Sequence, residues 1–165
     1  MAPEEKLAAV ADAFAALIAA DPWLANPALP VPVLTERKGD FATDIEQSLN
    51  NLGLAVAVVM PDAEDVVTTG ATLALRVRLV AQVCENVPGN QSACETAKIS
   101  YRPALAAVVR IMKAVNCQPN GLDVPDVPHR RGVNEFTLPR ERPFQLIPDP
   151  ATVTYHVTAH TTLSL

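Results

Sequence analysis

The last part of the chain alternates residue by residue between apolar and polar side chains, and this pattern constrains the fold more than any other. Over residues 153–164 the odd-numbered positions begin with Val153, Tyr155 and Val157, whereas the even-numbered positions hold threonine, histidine and a final serine. A period of two with many β-branched residues is typical of a strand with one buried and one wetter face. We therefore expect this strand to pair inside a sheet and to bury its odd-numbered side chains.

Two histidines, His156 and His160, stand four residues apart in this stretch. On a helix that spacing would suggest a metal site. On a strand, a rise of about 3.3 Å per residue separates them by roughly 13 Å, whereas zinc needs its ligand atoms about 2 Å away. One strand cannot close both side chains on one ion. We therefore predict no metal site and place both histidines on a solvated or interface-facing sheet surface.

Two further stretches have the composition of strands. Residues 54–61 form a nearly continuous apolar run, which predicts a strand that is covered on both faces. Residues 72–86 alternate instead, and the polar members of that alternation include Arg76, Arg78 and Gln82. The acidic segment 62–70 between the two strands is predicted to form a loop, so the strands make a hairpin without a tight turn.

Apolar residues at helical spacing predict an amphipathic helix over residues 4–20 and a second one over residues 40–52. Asp40 or Thr43 can cap the second helix at its N-terminus, because both side chains accept a hydrogen bond from a backbone N–H group. Gly53 follows where a glycine commonly ends a helix. The local punctuation of this helix is therefore visible in the sequence.

A third helix is predicted over residues 102–115, with Pro103 in its first turn. Its buried stripe is predicted to comprise Leu105, Val108, Val109 and Met112. Residues 87–101 are predicted to form a turn and a loop that lead into this helix.

The predicted order is helix, short edge strand at residues 31–35, helix, strand, strand, helix, long loop and strand. At 165 residues the chain is long enough for a single domain, residues 1–165, with its own core. We therefore predict an α+β fold in which a small mixed or antiparallel sheet has helices packed on one face. Residues 118–150 are predicted to add a long proline-rich loop or arm.

The proline-rich arm has short strands as candidates at residues 136–138 and 144–147. Four arginines crowd this region of an otherwise acidic chain, and they are Arg130, Arg131, Arg140 and Arg142. Because prolines deny the arm the hydrogen bonds of a sheet, we expect it to contact neighbouring subunits more than its own core. An acidic surface such as segment 62–65 or Asp149 of a neighbour would suit the arginines. These four residues, with His156 and His160, are the candidate interface residues.

The overall charge and composition exclude several classes of function. A net charge of −5 and a pI near 5.1 argue against a protein that binds nucleic acid directly. No stretch approaches eighteen apolar residues, so we expect no membrane span, and charged residues inside the first apolar run argue against a signal peptide. The three cysteines, Cys84, Cys94 and Cys117, are too irregular for a disulfide framework or a zinc cluster.

A search for catalytic motifs gives no candidate residues. Six glycines form neither a GxGxxG nor a GxxxxGK[ST] phosphate-binding loop, and no GxSxG sequence offers a serine nucleophile. The three carboxylates of "PDAED" lack the spacing of a calcium loop. We therefore predict no catalytic residue, no metal ligand and no cofactor, and a protein that is not an enzyme.

The order of elements resembles that of the tail terminator (tail completion) proteins and related minor tail proteins of long-tailed bacteriophages. The resemblance rests on the strands "LAVAVVMP", "LALRVRLVAQVCEN" and "TVTYHVTAHTTL" and on the helix "RPALAAVVRIMKAV". The segments "TERKGDFATDIEQSLNNLGLAVAVVMP" and "VAQVCENVPGNQS" are also similar to stretches of prophage structural proteins. The resemblance covers residues 4–116 and 150–165, whereas the helix at 40–52 and the insertion at 118–150 depart from the family pattern.

The resemblance implies a virion protein, assembled in the host cytoplasm, that forms a homo-oligomeric ring of six copies at the head-proximal end of the phage tail. Such a ring would stop growth of the tail tube and join the tail to the head and neck. Its partners would be its own copies, the tail tube protein and the head–neck connector proteins. Two alternatives stay open: a small non-enzymatic binding or regulatory module, and another head–tail connector subunit.

Overall fold

The centre of the fold is a six-stranded mixed sheet with two long antiparallel strands in its middle. The structure, a computed structural model, describes residues 1–69, 72–122 and 134–164. The helices in these ranges are α1 (Pro3–Ala19), α2 (Phe41–Leu52), α3 (Val87–Thr96) and α4 (Ala104–Val115). The strands are β1 (Val33–Thr35), β2 (Leu54–Val58), β3 (Asp62–Thr69), β4 (Thr72–Glu85), β5 (Phe144–Ile147) and β6 (Val153–Ser164). The predicted α+β class, with helices packed against a mixed sheet, is confirmed.

Strands β4 and β6 pair along their whole length, from Glu85 opposite Val153 to Ala74 opposite Ser164. On its other edge, β4 pairs with β2 near its C-terminal end and with β3 near its N-terminal end, both antiparallel. Strand β1 runs parallel to β2, and β5 pairs antiparallel with β6. The sheet therefore contains the predicted pairing of β2 with β4 and the predicted terminal strand.

The odd-numbered side chains of the two central strands form the core together with α1 and α4. Val77, Leu79, Val157 and Ala159 are all fully buried there. The prediction for β6 therefore holds for its odd-numbered face, although Val153 and Tyr155 lie near its end and are only partly buried. The odd-numbered side chains of these two strands therefore face the core, and the even-numbered ones lie on the opposite, second face of the sheet.

Strand β2 is covered on both faces, as its continuous apolar run predicts. All five of its residues are buried. Val56 belongs to the main core, whereas Ala55 and Ala57 point to the second face of the sheet. Helix α2 contacts β2, and it lines a cleft with Leu34, the β1 residue opposite Ala57. At this end of the sheet, α2 therefore supplies the second layer.

The ends of α2 follow the sequence punctuation. The side chain of Asp40 accepts a hydrogen bond from Thr43 N, so Asp40 is the cap and Thr43 lies within the first turn. Gly53 ends the helix with a φ of 68°, a left-handed conformation that glycine adopts without a steric penalty. Of the two caps that the sequence allows, the structure selects Asp40.

Two segments predicted as loops are regular elements instead. Segment 62–70 contributes β3, because its carboxylates stand opposite Arg78 and Arg76 of β4 and the pairing offsets their charge. Segment 87–101 contributes α3, which Asn86 caps through its side chain and which has a proline in its first turn. In both cases local partners override a composition that favours loops.

The buried stripe of α4 differs from the predicted one. Val108 is fully buried and Met112 is partly buried, but Leu105 is 47% exposed and Val109 is 39% exposed. Pro103 occupies the N-cap position rather than the first turn. The helix turns small residues toward the sheet and α1, and the buried set is Ala104, Ala107, Val108, Ile111 and Val115. Alanines allow a close approach that apolar periodicity alone does not predict.

The flanks of the proline-rich passage belong to the fold, although the sequence predicts that this passage contacts neighbouring subunits more than its own core. Phe136 is fully buried, and its ring centroid lies 5.2 Å from that of Phe14 in α1. Asn120 is also buried, and it donates to Thr161 Oγ1 at 2.9 Å. The strand predicted at 144–147 is confirmed as β5. The one predicted at 136–138 reduces to a single bridge.

Substituting Gly53→Ala tests the junction between α2 and β2. An added Cβ would lie 1.9 Å from Asn90 N, and the residue has a positive φ. We expect the free energy of unfolding to fall by about 2 kcal/mol or more, measured by denaturant titration. Gly89→Ala is the matched control, because a Cβ there meets no atom closer than 3.5 Å. Equal effects of the two variants would contradict this account.

Substituting Phe136→Ala tests whether the passage after residue 133 is part of the core. Removing this fully buried ring next to Phe14 should lower the free energy of unfolding by about 3–5 kcal/mol. Val109→Ala, at a position that is 39% exposed, should change it far less and serves as the control. A small loss for Phe136→Ala in thermal and denaturant unfolding would return this segment to the role of a peripheral arm.

Candidate functional site

The second face of the sheet, away from α1 and α4, carries polar side chains along β4 and β6. The strand register places Arg78 of β4 opposite His160 of β6, and Gln82 opposite His156. Directly opposed residues of antiparallel strands point to the same face, so these side chains are neighbours. The prediction that both histidines lie opposite the buried series is therefore confirmed.

A cluster of charges spans three adjacent strands on this face and centres on Glu64 of β3. Its Oε2 lies 3.0 Å from His160 Nε2 and 3.8 Å from Arg76 Nε, and its Oε1 lies 3.9 Å from Arg78 Nε. Asp62 accepts a hydrogen bond from Arg78 Nη2 at 2.8 Å. The two arginines and Asp62 are exposed, and exposed ion pairs contribute only about 0–1 kcal/mol each to stability, whereas His160 is mostly buried. The value of these groups lies in the pattern of charge they present.

An irregularity in strand β3 accounts for the central position of Glu64. The register shifts between Ala63 and Asp65, so Glu64 has no partner of its own in the ladder. A bulge of this kind redirects a side chain without ending the strand. Glu64 can then reach across β4 to His160 on β6. The sequence gives no signal for a bulge within "DAEDVV", and this residue was not among the predicted site residues.

His156 stands apart from this charge cluster. It is partly buried, and burial lowers its pKa below the ordinary value of 6.5. A lowered pKa keeps the imidazole neutral at neutral pH. Its cross-strand neighbours, Gln82 on β4 and Gln145 on β5, are uncharged. The second face is therefore charged at the β3 end and neutral near β5.

The structure places two of the four predicted interface arginines. Arg140 and Arg142 are exposed in the turn that precedes β5, at the sheet edge opposite β3. Arg130 and Arg131 lie outside the described residues. In the described part of the chain, no three side chains of histidine, cysteine, aspartate or glutamate come together as a metal site.

A second polar cluster, which the sequence did not suggest, is buried around Glu85 at the end of β4. Glu85 is 3% exposed, and its Oε1 accepts hydrogen bonds from Asn90 Nδ2 at 2.8 Å and from the Tyr101 hydroxyl. Its Oε2 accepts from Ala104 N at 2.7 Å and so caps α4, where the helix dipole favours a negative charge. Burial and then the hydrogen bond to Glu85 raise the pKa of Tyr101 to about 12.

Arg102 extends this cluster to the loop after α1. Its guanidinium donates to Trp23 O at 3.0 Å and to Leu29 O at 2.6 Å, and it lies 5.6 Å from the Trp23 ring centroid. Glu85 is buried, and both of its oxygens accept hydrogen bonds from donors of the chain itself. The cluster therefore joins β4, α3 and α4 to the loop that follows α1.

A shallow groove lies between α2, α3 and residues 28–29, with a volume of about 560 Å³. It is lined by Ala28, Leu29, Asn50, Asn51, Gly89, Ser92, Ala93, Thr96 and Ala97. None of these side chains is an acid, a base or a thiol, so the groove offers contact surface without a group for general acid or base catalysis.

No protein family, no curated protein and no solved structure matches this chain. Within the described residues, none of the helices combines the length and the apolar character that crossing a lipid bilayer requires.

His156 provides a test of the electrostatics of this face. Because its pKa is lowered in the folded chain, the unfolded state takes up the proton first as the pH falls below 6.5. Protonation of His156 therefore does not affect the free energy of unfolding well above pH 6.5, and it lowers this free energy as the pH falls below 6.5. We expect His156→Gln to flatten the fall of the melting temperature between about pH 7 and pH 5. Equal pH dependence of the two proteins would contradict the burial of this imidazole.

Proposed function

We propose that the chain is a non-enzymatic structural subunit of the tail-terminator type. Copies of it would form a ring, of six copies by the family pattern, at the head-proximal end of a phage tail. The ring would stop growth of the tail tube and bind the head–neck connector proteins. The proposal rests on the sequence resemblance and on one structural observation.

That observation is a sheet with different surfaces at its two edges. Strand β3, with three carboxylates, lies at one edge, and β5, preceded by two exposed arginines, lies at the opposite edge. Within the described chain, each of these strands pairs on one side only. Two unlike surfaces on opposite sides of one subunit suit a heterologous, head-to-tail contact, and repetition of such a contact closes a ring.

The polar second face supports the same proposal. The cluster around Glu64 holds carboxylates on β3, guanidinium groups on β4 and the His160 imidazole on β6. Mixed charges in a fixed pattern select a partner and its register more than they add affinity. A subunit that meets a tube protein on one side and connector proteins on the other needs this kind of selectivity. In such a virion the protein would be assembled in the host cytoplasm.

The oligomeric state tests the proposal. We expect gel filtration with light scattering to give one discrete oligomer, and negative-stain microscopy to give rings. Because charged groups contribute to the contact, the oligomer should dissociate as salt rises from about 0.05 M to about 0.5 M. A monomer at every protein concentration and at low salt would refute the ring, and it would favour the alternative of a small binding module.

A further inference from the structure

Strand β5 presents unused backbone groups at the outer edge of the sheet. Thr158 N donates to Pro143 O at 2.9 Å, which fixes the phase of the antiparallel ladder between β6 and β5. Hydrogen-bonded pairs then fall at every second residue, so Gln145 and Ile147 bond to β6. The N–H and C=O groups of Phe144 and Leu146 consequently point outward. The Leu146 side chain is also 57% exposed.

Strand β3 offers a second open edge on the opposite side of the sheet. It pairs with β4 on one side, and no other described strand pairs with it. Residues 62–66 are all exposed, although the strand is regular apart from its bulge at Glu64. An open strand edge is a template for another strand. The carboxylates of β3 oppose pairing with a second acidic strand and favour a basic one.

The charges at these two edges are complementary. Arg140 and Arg142 stand directly before β5, and neither forms an ion pair with any described residue. On β3, Asp62 and Glu64 already form ion pairs with arginines of β4. Asp65 stands opposite Arg76 in the ladder but forms no ion pair within the described part. Because β3 and β5 lie at opposite edges of one rigid sheet, these groups cannot meet within one molecule.

We propose that β5 of one copy pairs with β3 of the next copy, so that the sheet continues from subunit to subunit. Arg140 and Arg142 would lie against the carboxylates of β3, with Asp65 as the main partner. This inference rests on the proposed function and names the contact that would build the ring. Every copy contributes one basic and one acidic edge, so all contacts are identical.

The length of β5 limits the strength of this contact. Prolines at positions 143 and 148 bracket the strand and end its outward ladder after four residues. A short ladder with exposed charges gives a salt-dependent contact, and several identical contacts stabilise one another once the ring closes. The short ladder also protects a single copy from uncontrolled edge-to-edge aggregation.

The relative position of the two edges sets a geometric condition on closure. Strand β5 lies beside residues 154–157 of β6, whereas β3 lies beside the end of β4 that pairs with residues 160–164. At about 3.3 Å per residue, the two edges are staggered by roughly 25 Å along the strands. A ring closes over such a stagger only if its strands tilt relative to the ring axis, as in a β-barrel.

A charge-swap experiment tests the pairing in the full chain. Arg140→Glu and Asp65→Arg should each weaken assembly at least tenfold, measured by sedimentation velocity over a range of concentrations. The double variant R140E/D65R restores opposite charges at every contact and should recover assembly to within about threefold of the original chain. Lys113→Glu and Glu46→Arg, at exposed helical positions, make the same changes of charge away from both edges and should have little effect.

A backbone variant tests the ladder independently of charge. Leu146→Pro removes an N–H group that points outward, so it should abolish assembly while the melting temperature of the monomer stays close to that of the original chain. Leu146→Ala keeps the N–H group and should assemble. Gln145→Pro removes a bond to β6 and should lower the melting temperature, which verifies the phase of the ladder.

The outcomes separate this inference from the proposed function. Assembly that tolerates R140E, D65R and L146P would overturn the pairing of β5 with β3 and leave a ring built on another surface. Failure of the unaltered chain to assemble at any concentration would overturn both proposals. Loss of assembly in both single charge variants, with recovery in the double variant, would support the pairing.

Discussion

The antiparallel pairing of β4 with β6 is the interaction on which the rest of the structure depends. It joins the middle of the chain to its end, and it fixes the face on which every side chain of the two strands lies. A shift of one residue would move Val77 and Val157 out of the core and bring Arg78 and His160 into it. Because both strands place mainly apolar side chains on one face and Arg76, Arg78 and the histidines on the other, one register satisfies the core and the polar surface together.

The sequence predicts this part of the molecule well, because alternation and helical spacing are local patterns. It predicts the terminal strand, β2, the end of α2 at Gly53 and the face of the sheet on which both histidines lie. It does not predict β3 or α3, whose residues favour loops and acquire their structure from β4 and from the Asn86 cap. Nor does it predict Phe136 in the core, because a single aromatic residue among prolines has no periodicity to reveal it.

Some residues of the polar clusters and sheet edges can be predicted from the sequence, and others cannot. Arg140 and Arg142 stand out in the sequence as a local concentration of charge, and the structure locates them at a sheet edge. Glu64 and Glu85 do not stand out, since one depends on a bulge and the other on three donors from distant segments. The buried carboxylate of Glu85 caps the N-terminus of α4 and also accepts hydrogen bonds from Asn90 in α3 and from Tyr101. Such long-range contacts leave no trace in spacing or composition.

The three cysteines differ in exposure, so a thiol reagent would react with them at different rates. Cys117 is exposed after α4, whereas Cys84 lies buried in β4 and Cys94 lies buried in α3. The buried Cys84 thiol accepts hydrogen bonds from Gln82 and Thr154, so a reagent reaches it only when the structure around this end of β4 opens. Alkylation of Cys117 would then leave the fold intact, and the slower alkylation of Cys84 would report how often the structure around this end of β4 opens. The rate of Cys84 alkylation thus measures local opening of the fold, and Cys117 provides an exposed reference thiol in the same molecule.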